Sequence, residues 1–198
     1  MSTIPTSVRR LFRNGPLRSH ELEASGISRA QLSRMVTAGQ LQQIARGLYA
    51  LNTYQPSEHV ALITVARRAP EALFCLLTAL RLHDLTTQAP FEVWIALGNK
   101  ARTPKLEYPP LRVVRFSDVT LRQGVDKRVV DGVELRLTNV AKTVADCFKF
   151  RNKIGLDVAL EALREARRYK RATNDDLWRY AKLCRVASVM RPYLEAMA

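Results

Sequence analysis

Bond-making chemistry needs the right side chains in one place, and in this sequence the scarce ones are scattered. His20, His59 and His83 stand without partners at triad or metal-ligand spacing, and there is no P-loop and no GxGxxG run. Cys75, Cys147 and Cys184 are odd in number, far apart and set among apolar residues. They read as buried, reduced thiols, with neither a disulfide framework nor a zinc site indicated. A restriction-type nuclease would need separated acidic residues and a Lys or Arg on adjacent strand positions to hold Mg²⁺ and activate water. Asp118 with Glu134 and Arg136 can be fitted to that pattern, but acid-x-base on a surface strand is common among ordinary solvated side chains. Asp146 lies close to the apolar face of a helix, where a structural bond to a neighbouring Arg or backbone group is expected. No enzymatic activity, cofactor or metal is expected.

Binding chemistry is better represented. Arg29, Ala30, Ser33, Arg34 and Thr37 share one face of a helical stretch whose other face is Leu32, Met35 and Val36. That outward face is basic and hydroxylated and has no acidic residue, as a helix entering a DNA major groove requires. Arg46, in the turn Ala45-Arg46-Gly47, is placed to reach a phosphate or the adjacent minor groove.

Local signals supply the elements that hold these residues. Thr6 or Ser7 caps a first short helix with Val8, Leu11 and Phe12 on one stripe, ended by Asn14-Gly15-Pro16. Ser19 starts a second helix with Leu22 inward, Ala24-Ser25-Gly26 turns the chain, and Ser28 caps the third helix, which stops at Gly39. Leu41 to Ile44 and Leu48 to Leu51 read as two strands. Leu41 and Ile44 have opposite strand parity, so pairing either starts after Leu41 or contains a bulge. The outline is a winged helix-turn-helix.

Charge agrees with a polyanionic partner. The 198 residues carry 32 Lys+Arg against 18 Asp+Glu, a formal net charge of +14. In the first 55 residues every basic residue is Arg, which suits bidentate phosphate and guanine contacts. With 47% hydrophobic and 25% charged residues the composition is globular. No stretch approaches the ~20 apolar residues that span a bilayer and the polar N-terminus is unlike a signal peptide, so a soluble, cytoplasmic protein without membrane contact is expected.

Asn52 to Ser57 is a polar, proline-containing segment, which sets the expected domains at 1–52 and 57–198. Beyond it, helices are expected over Glu58 to Arg68 and Ala72 to His83, the latter allowing an extended start at Leu73 to Cys75. Strands are expected at Phe91 to Leu97 and Leu111 to Phe116, with a basic surface loop between them that carries Lys100, Arg102 and Lys105. Asp131-Gly132 joins Arg128 to Val130 and Val133 to Leu137 in a hairpin. The last sixty residues read as helices: one capped by Thr138 or Asn139, then Leu156 to Lys170, one capped at Thr173, and Ser188 to Met197. Arg164, Arg167, Arg168 and Arg171 form a basic outer face, either solvated or a surface for a partner or nucleic acid, as Lys100 and Arg102 also are. Helices, sheet, helices make the larger domain α+β.

In the run ISRAQLSRMVTAGQLQQIARGLYAL, residues Leu32, Gly39, Leu41, Ile44, Arg46, Gly47, Leu48 and Tyr49 resemble the start of the AbiEi family of abortive-infection antitoxins, also described as transcriptional regulators of viral defence systems. The resemblance continues through Leu76-Thr78-Ala79-Leu80, the Phe91 to Leu97 strand and Leu137 to Asp146. It implies a DNA-binding winged helix followed by an antitoxin domain of a type IV toxin–antitoxin system. It further implies repression of the protein's own operon at inverted repeats of double-stranded operator DNA, and neutralisation of a nucleotidyltransferase-like toxin, directly or through its substrate. Carried over by residue, it places DNA contact on Arg29, Ser33, Arg34 and Arg46. Two other classes stay open: a winged-helix transcription factor whose larger domain senses a ligand or oligomerises, and a DNA-directed nuclease.

Overall fold

The computed structural model describes residues 4–55 and 57–196. The chain forms two compact units, residues 1–70 with 128–135, and residues 71–127 with 136–198. The architecture is α+β throughout.

In the first unit, α1 (Thr6–Leu11) is capped by Pro5 without a side-chain bond, in place of the expected hydroxyl cap. A 3₁₀ turn (Phe12–Asn14) leads to Gly15 and then to β1 (Leu17–Arg18), a strand too short to leave a periodic signal. α2 (Ser19–Ala24) and α3 (Arg29–Thr37) follow, then β2 (Leu41–Ala45) and β3 (Leu48–Leu51). The three strands form a sheet in the order β1-β3-β2. Leu41 pairs with Leu51, and the register shifts between Gln43 and Ala45, so the conflicting parity of Leu41 and Ile44 is resolved by a bulge. Phe12, Leu22, Ile27, Leu32 and Leu41 are buried together, with Met35 and Val36 packed against them. Each such side chain contributes roughly 1.5–3 kcal/mol of burial.

α4 (Val60–Arg68) belongs to the same unit. Its Arg67 reaches back to the Asn14 carbonyl (2.8 Å) and the Glu21 carboxylate (3.5 Å). The hairpin tip at residues 131–132 closes the unit from much later in the sequence: the Tyr54 hydroxyl donates to the Asp131 carboxylate (2.8 Å). Asp131 and Gly132 both have positive φ, as a two-residue hairpin turn requires. A Cβ at Gly132 would lie 2.7 Å from the Asn14 carbonyl carbon and 2.9 Å from the Gly15 nitrogen.

The second unit contains β4 (Leu73–Phe74), α5 (Leu76–Leu82), β5 (Val93–Gly98), β6 (Leu111–Phe116) and α6 (Asp118–Arg122). β7 (Val125–Val130) and β8 (Val133–Thr138) complete a sheet in the order β6-β5-β4-β8-β7, their residues 128–135 grouping with the first unit. The extended start allowed for at Leu73 to Cys75 is present as β4, and the chain swings into α5 at Leu76, whose φ of +48° is unusual for a side chain of its bulk. β5 and β6 are parallel in register from Val93–Leu111 to Gly98–Phe116. Then come α7 (Val140–Lys149), α8 (Arg151–Ile154), α9 (Leu156–Arg168), α10 (Asn174–Leu183) and α11 (Ala187–Ala196), which holds Pro192 inside it.

Asn139 caps α7 by accepting from the Lys142 backbone N–H (2.9 Å). Every residue from Ala141 to Phe148 is buried, so α7 is the axis on which α5, α9, α10 and α11 pack. Two of those residues are charged. Lys142 Nζ donates to Asp146 Oδ2 at 2.6 Å, one turn apart, with side chains 0% and 1% exposed. The Cys184 thiol donates to Asp146 Oδ1 (3.2 Å), and the ammonium lies 4.3 Å from the centroid of the Phe116 ring. Asp146 thus has the structural role expected of it, with lysine in place of the anticipated arginine or backbone group. Burial pushes its carboxyl pKa up, against the opposing pull of Lys142 and the Cys184 thiol. All three cysteines are free and buried, and burial pushes the Cys184 thiol up to about 12.

Two expected outcomes follow from these contacts. Gly132→Ala adds both αL strain and a backbone clash and should cost roughly 2–4 kcal/mol, read as faster amide exchange over residues 12–52. Gly26→Ala, where φ is also positive but nothing lies within 4 Å, should cost only about 1–2 kcal/mol. Lys142→Met strands a buried carboxylate and should lower unfolding stability by roughly 3–5 kcal/mol, whereas Lys142→Met with Asp146→Leu should recover most of it in urea titrations.

Candidate nucleic-acid interface

The interface is built on α3, and α3 is fixed by local bonds. The Ser28 hydroxyl accepts from the Gln31 backbone N–H (3.3 Å), while the Gln31 side-chain oxygen accepts from the Ser28 N–H (2.8 Å), a complete capping box. At the other end Gln40 N–H bonds the Met35 carbonyl (2.9 Å) and Gly39 N–H the Val36 carbonyl (3.0 Å), with Gly39 in the left-handed region. Leu32 is buried between these ends, which turns Arg29, Ala30, Ser33, Arg34 and Thr37 to solvent; all five are exposed.

The wing is fixed as firmly. Arg46 and Gly47 form the turn between β2 and β3, with Gly47 at φ +69° and its carbonyl accepting from the Ser19 N–H (3.0 Å). Gln42 donates to the Leu51 carbonyl (3.1 Å) and to that of Tyr54, which pins the chain as it leaves the sheet. Arg46 is exposed at the tip. The expected contact residues therefore lie on two elements of one rigid module.

Electrostatics distinguish the two arginines of α3. Arg29 Nε donates to the Glu23 carboxylate of α2 (2.5 Å), a bond that raises the guanidinium pKa and holds the side chain beside an acid. Arg34 is folded against its own helix through the Ala30 carbonyl (3.4 Å), and among the described residues it forms no ion pair. It forms one wall of an open groove of about 600 Å³ between α1, the turn at residues 25–27 and α3, lined with Val8, Ile27, Gln31 and Met35 and containing no carboxylate. Glu23 could not be foreseen from periodicity, because it is a cross-helix neighbour of Arg29 created by the turn.

The remaining expected residues fall on separate elements of the second unit. Lys100 and Arg102 sit on the loop after β5, where Arg115 donates to the carbonyls of Gly98 (2.9 Å) and Ala101 (2.6 Å) and to the Thr103 hydroxyl (3.0 Å). Arg164, Arg167, Arg168 and Arg171 gather at the C-terminal end of α9. Arg167 donates to Asn174 (2.7 Å), and Arg168 is 3.8 Å from Glu165. Of the residues fitted to a nuclease pattern, Asp118 opens α6 and Arg136 pairs with Glu71. Among the described residues no group of three His, Cys, Asp or Glu could hold a metal ion, and no helix is long and apolar enough to cross a membrane.

Helices, turn and wing in this order and pairing make the first unit a winged helix-turn-helix. Residues 7–52 match the model of a family described as transcriptional regulator, AbiEi antitoxin, which bears out the resemblance seen in the α3-to-wing run. No curated protein matches the chain. The match ends at Asn52, where the polar segment begins, although the compact unit continues through α4.

The cap offers a direct test of how α3 is held. Ser28→Ala should cost about 1 kcal/mol of stability and increase amide exchange in the first turn of α3 ahead of the rest of the module.

Proposed function

We propose that this chain is a DNA-binding antitoxin that represses its own operon by placing α3 in the major groove of inverted-repeat operator DNA, and that its second unit neutralises a nucleotidyltransferase-like toxin. The observation that carries the DNA half is the solvent face of α3, where Ser33, Arg34 and Thr37 are exposed on a helix fixed at both ends. Arg34 reads a base edge, and Ser33 and Thr37 hydrogen-bond bases or backbone beside it. Arg29, oriented by Glu23, and Arg46 at the wing tip meet phosphates and set the register. Two copies on the two half-sites account for an inverted repeat without requiring a dimer in solution. The toxin half is supported by the family to which residues 7–52 are matched.

Binding to a labelled fragment of the upstream region across a salt series tests the first half. Arg34→Ala should lose about 1–3 kcal/mol of discrimination between operator and scrambled DNA, and Arg46→Ala should weaken both alike while reducing the salt slope by about one unit. Wild-type binding by both variants would remove α3 and the wing from the interface. For the second half, co-expression with the neighbouring gene should restore growth that this gene alone suppresses.

A further inference from the structure

The surface at the end of α9 has a construction that the winged-helix reading does not use. Residues 164–171 carry Arg164, Arg167, Arg168, Lys170 and Arg171 with Tyr169, a residue that remains 54% exposed. Arg168 lies 5.5 Å from the centroid of that ring, a cation and an aromatic face offered together. The helix ends in a Schellman turn, Arg171 N–H to the Ala166 carbonyl (2.8 Å) and Lys170 N–H to the Arg167 carbonyl (2.9 Å). The left-handed position of that turn, where glycine is favoured, is held by Lys170 at φ +51°. A cation gains from the negative end of the helix dipole, and the lysine here adds an exposed ammonium beside the tyrosine in sequence. The Arg167–Asn174 bond ties the turn to the start of α10, so the surface is preformed. Of the carboxylates nearest in sequence, Glu165 stands 3.8 Å from Arg168, Asp176 is engaged by the Thr173 hydroxyl (2.6 Å) and Arg179 (2.9 Å), and Asp175 is exposed in the first turn of α10.

We propose that this turn binds an unpaired RNA segment, with Tyr169 stacking on a base and Arg164, Arg168, Lys170 and Arg171 holding phosphates and 2′-hydroxyls. Duplex DNA hides its base faces, so an exposed ring among cations suits a strand whose bases are splayed. An acidic protein surface would use the same charges but would not need the ring face. The site is independent of α3 and the wing.

The test is fluorescence anisotropy of the full chain carrying Arg34→Ala and Arg46→Ala, with three labelled probes: a twelve-nucleotide oligo(U), an oligo(dT) of equal length, and a twelve-base-pair DNA duplex. Oligo(U) should bind most tightly, with Tyr169→Ala weakening it about tenfold and Tyr169→Phe leaving it near wild type. Lys170→Gly should weaken binding severalfold while leaving the melting temperature unchanged or higher, because glycine relieves the left-handed strain. Unchanged oligo(U) binding in Tyr169→Ala, or equal affinity for the duplex, overturns the proposal in favour of a plain phosphate-attracting or protein-facing surface. Parity of oligo(dT) with oligo(U) overturns the assignment to RNA. Operator binding by the otherwise wild-type chain should be unaffected by Tyr169→Ala, so failure here and failure of the α3 reading are separable.

Discussion

An ammonium and a carboxylate out of reach of water condition the whole of the larger unit. Taking either charge alone out of water costs several kcal/mol, and the Lys142–Asp146 bond offsets that only because other partners are in place as well. Phe116 brings its ring face from β6 and Cys184 its thiol from the end of α10. Gly124 clears the space above: a Cβ there would sit 2.7 Å from the lysine stem and 2.8 Å from the Tyr180 ring. A well-packed apolar pair would hold α7 about as strongly. What the charges add is register, since turning α7 by a single residue would face an ion with aliphatic neighbours and leave it unpaired.

The smaller unit is held by the opposite strategy, many weak local bonds at element ends. The Glu21 carboxylate accepting from the Arg18 N–H at the start of α2, the capping box of α3, the Gly39 turn and the Gly47–Ser19 bond each satisfy groups that helices and hairpins leave open. Because the backbone is fixed at those ends, the side chains of α3 need no supporting shell to point outward. Rigid presentation of this kind reduces the entropy lost when a surface meets its partner. Glu23 pairs with Arg29, whereas Arg34 forms no ion pair among the described residues.

Local chemistry was legible in the sequence. The cap at Ser28, the stop at Gly39 and the hairpin at Asp131-Gly132 all appear where residue types put them, and of the two ways to reconcile Leu41 with Ile44 the bulge is the one present. Segments governed by distant partners were not. β1 is a two-residue strand recruited by β3, and α6 is too short for a period to show. Phe91 looks like the start of a strand by type, yet it is exposed and pairing begins at Val93, where the partner strand starts at Leu111. α9 stops at Arg168, short of the expected Lys170, because that lysine adopts the left-handed conformation that ends the helix. At the candidate site, the exposed residues of α3 could be named from one helix face, while the pairing of Arg29 with Glu23 needed the fold. Sequence places both Arg167 and Arg168 in one run but does not show which of them is tied to Asn174.

The first unit is discontinuous, and this affects the order in which it can form on the ribosome. Residues 7–52 emerge early, but Asn14 and Gly15 meet their hairpin partner, and Tyr54 meets Asp131, only when residues 128–135 have been made. Domains commonly fold as units during synthesis, the earlier one first. Here the earlier one waits until residues 128–135 have been translated. A product released by a premature stop before residue 128 would carry the α3 surface without the turn that closes the unit around it. Completion of the winged-helix unit is thereby coupled to translation of much of the unit that follows it.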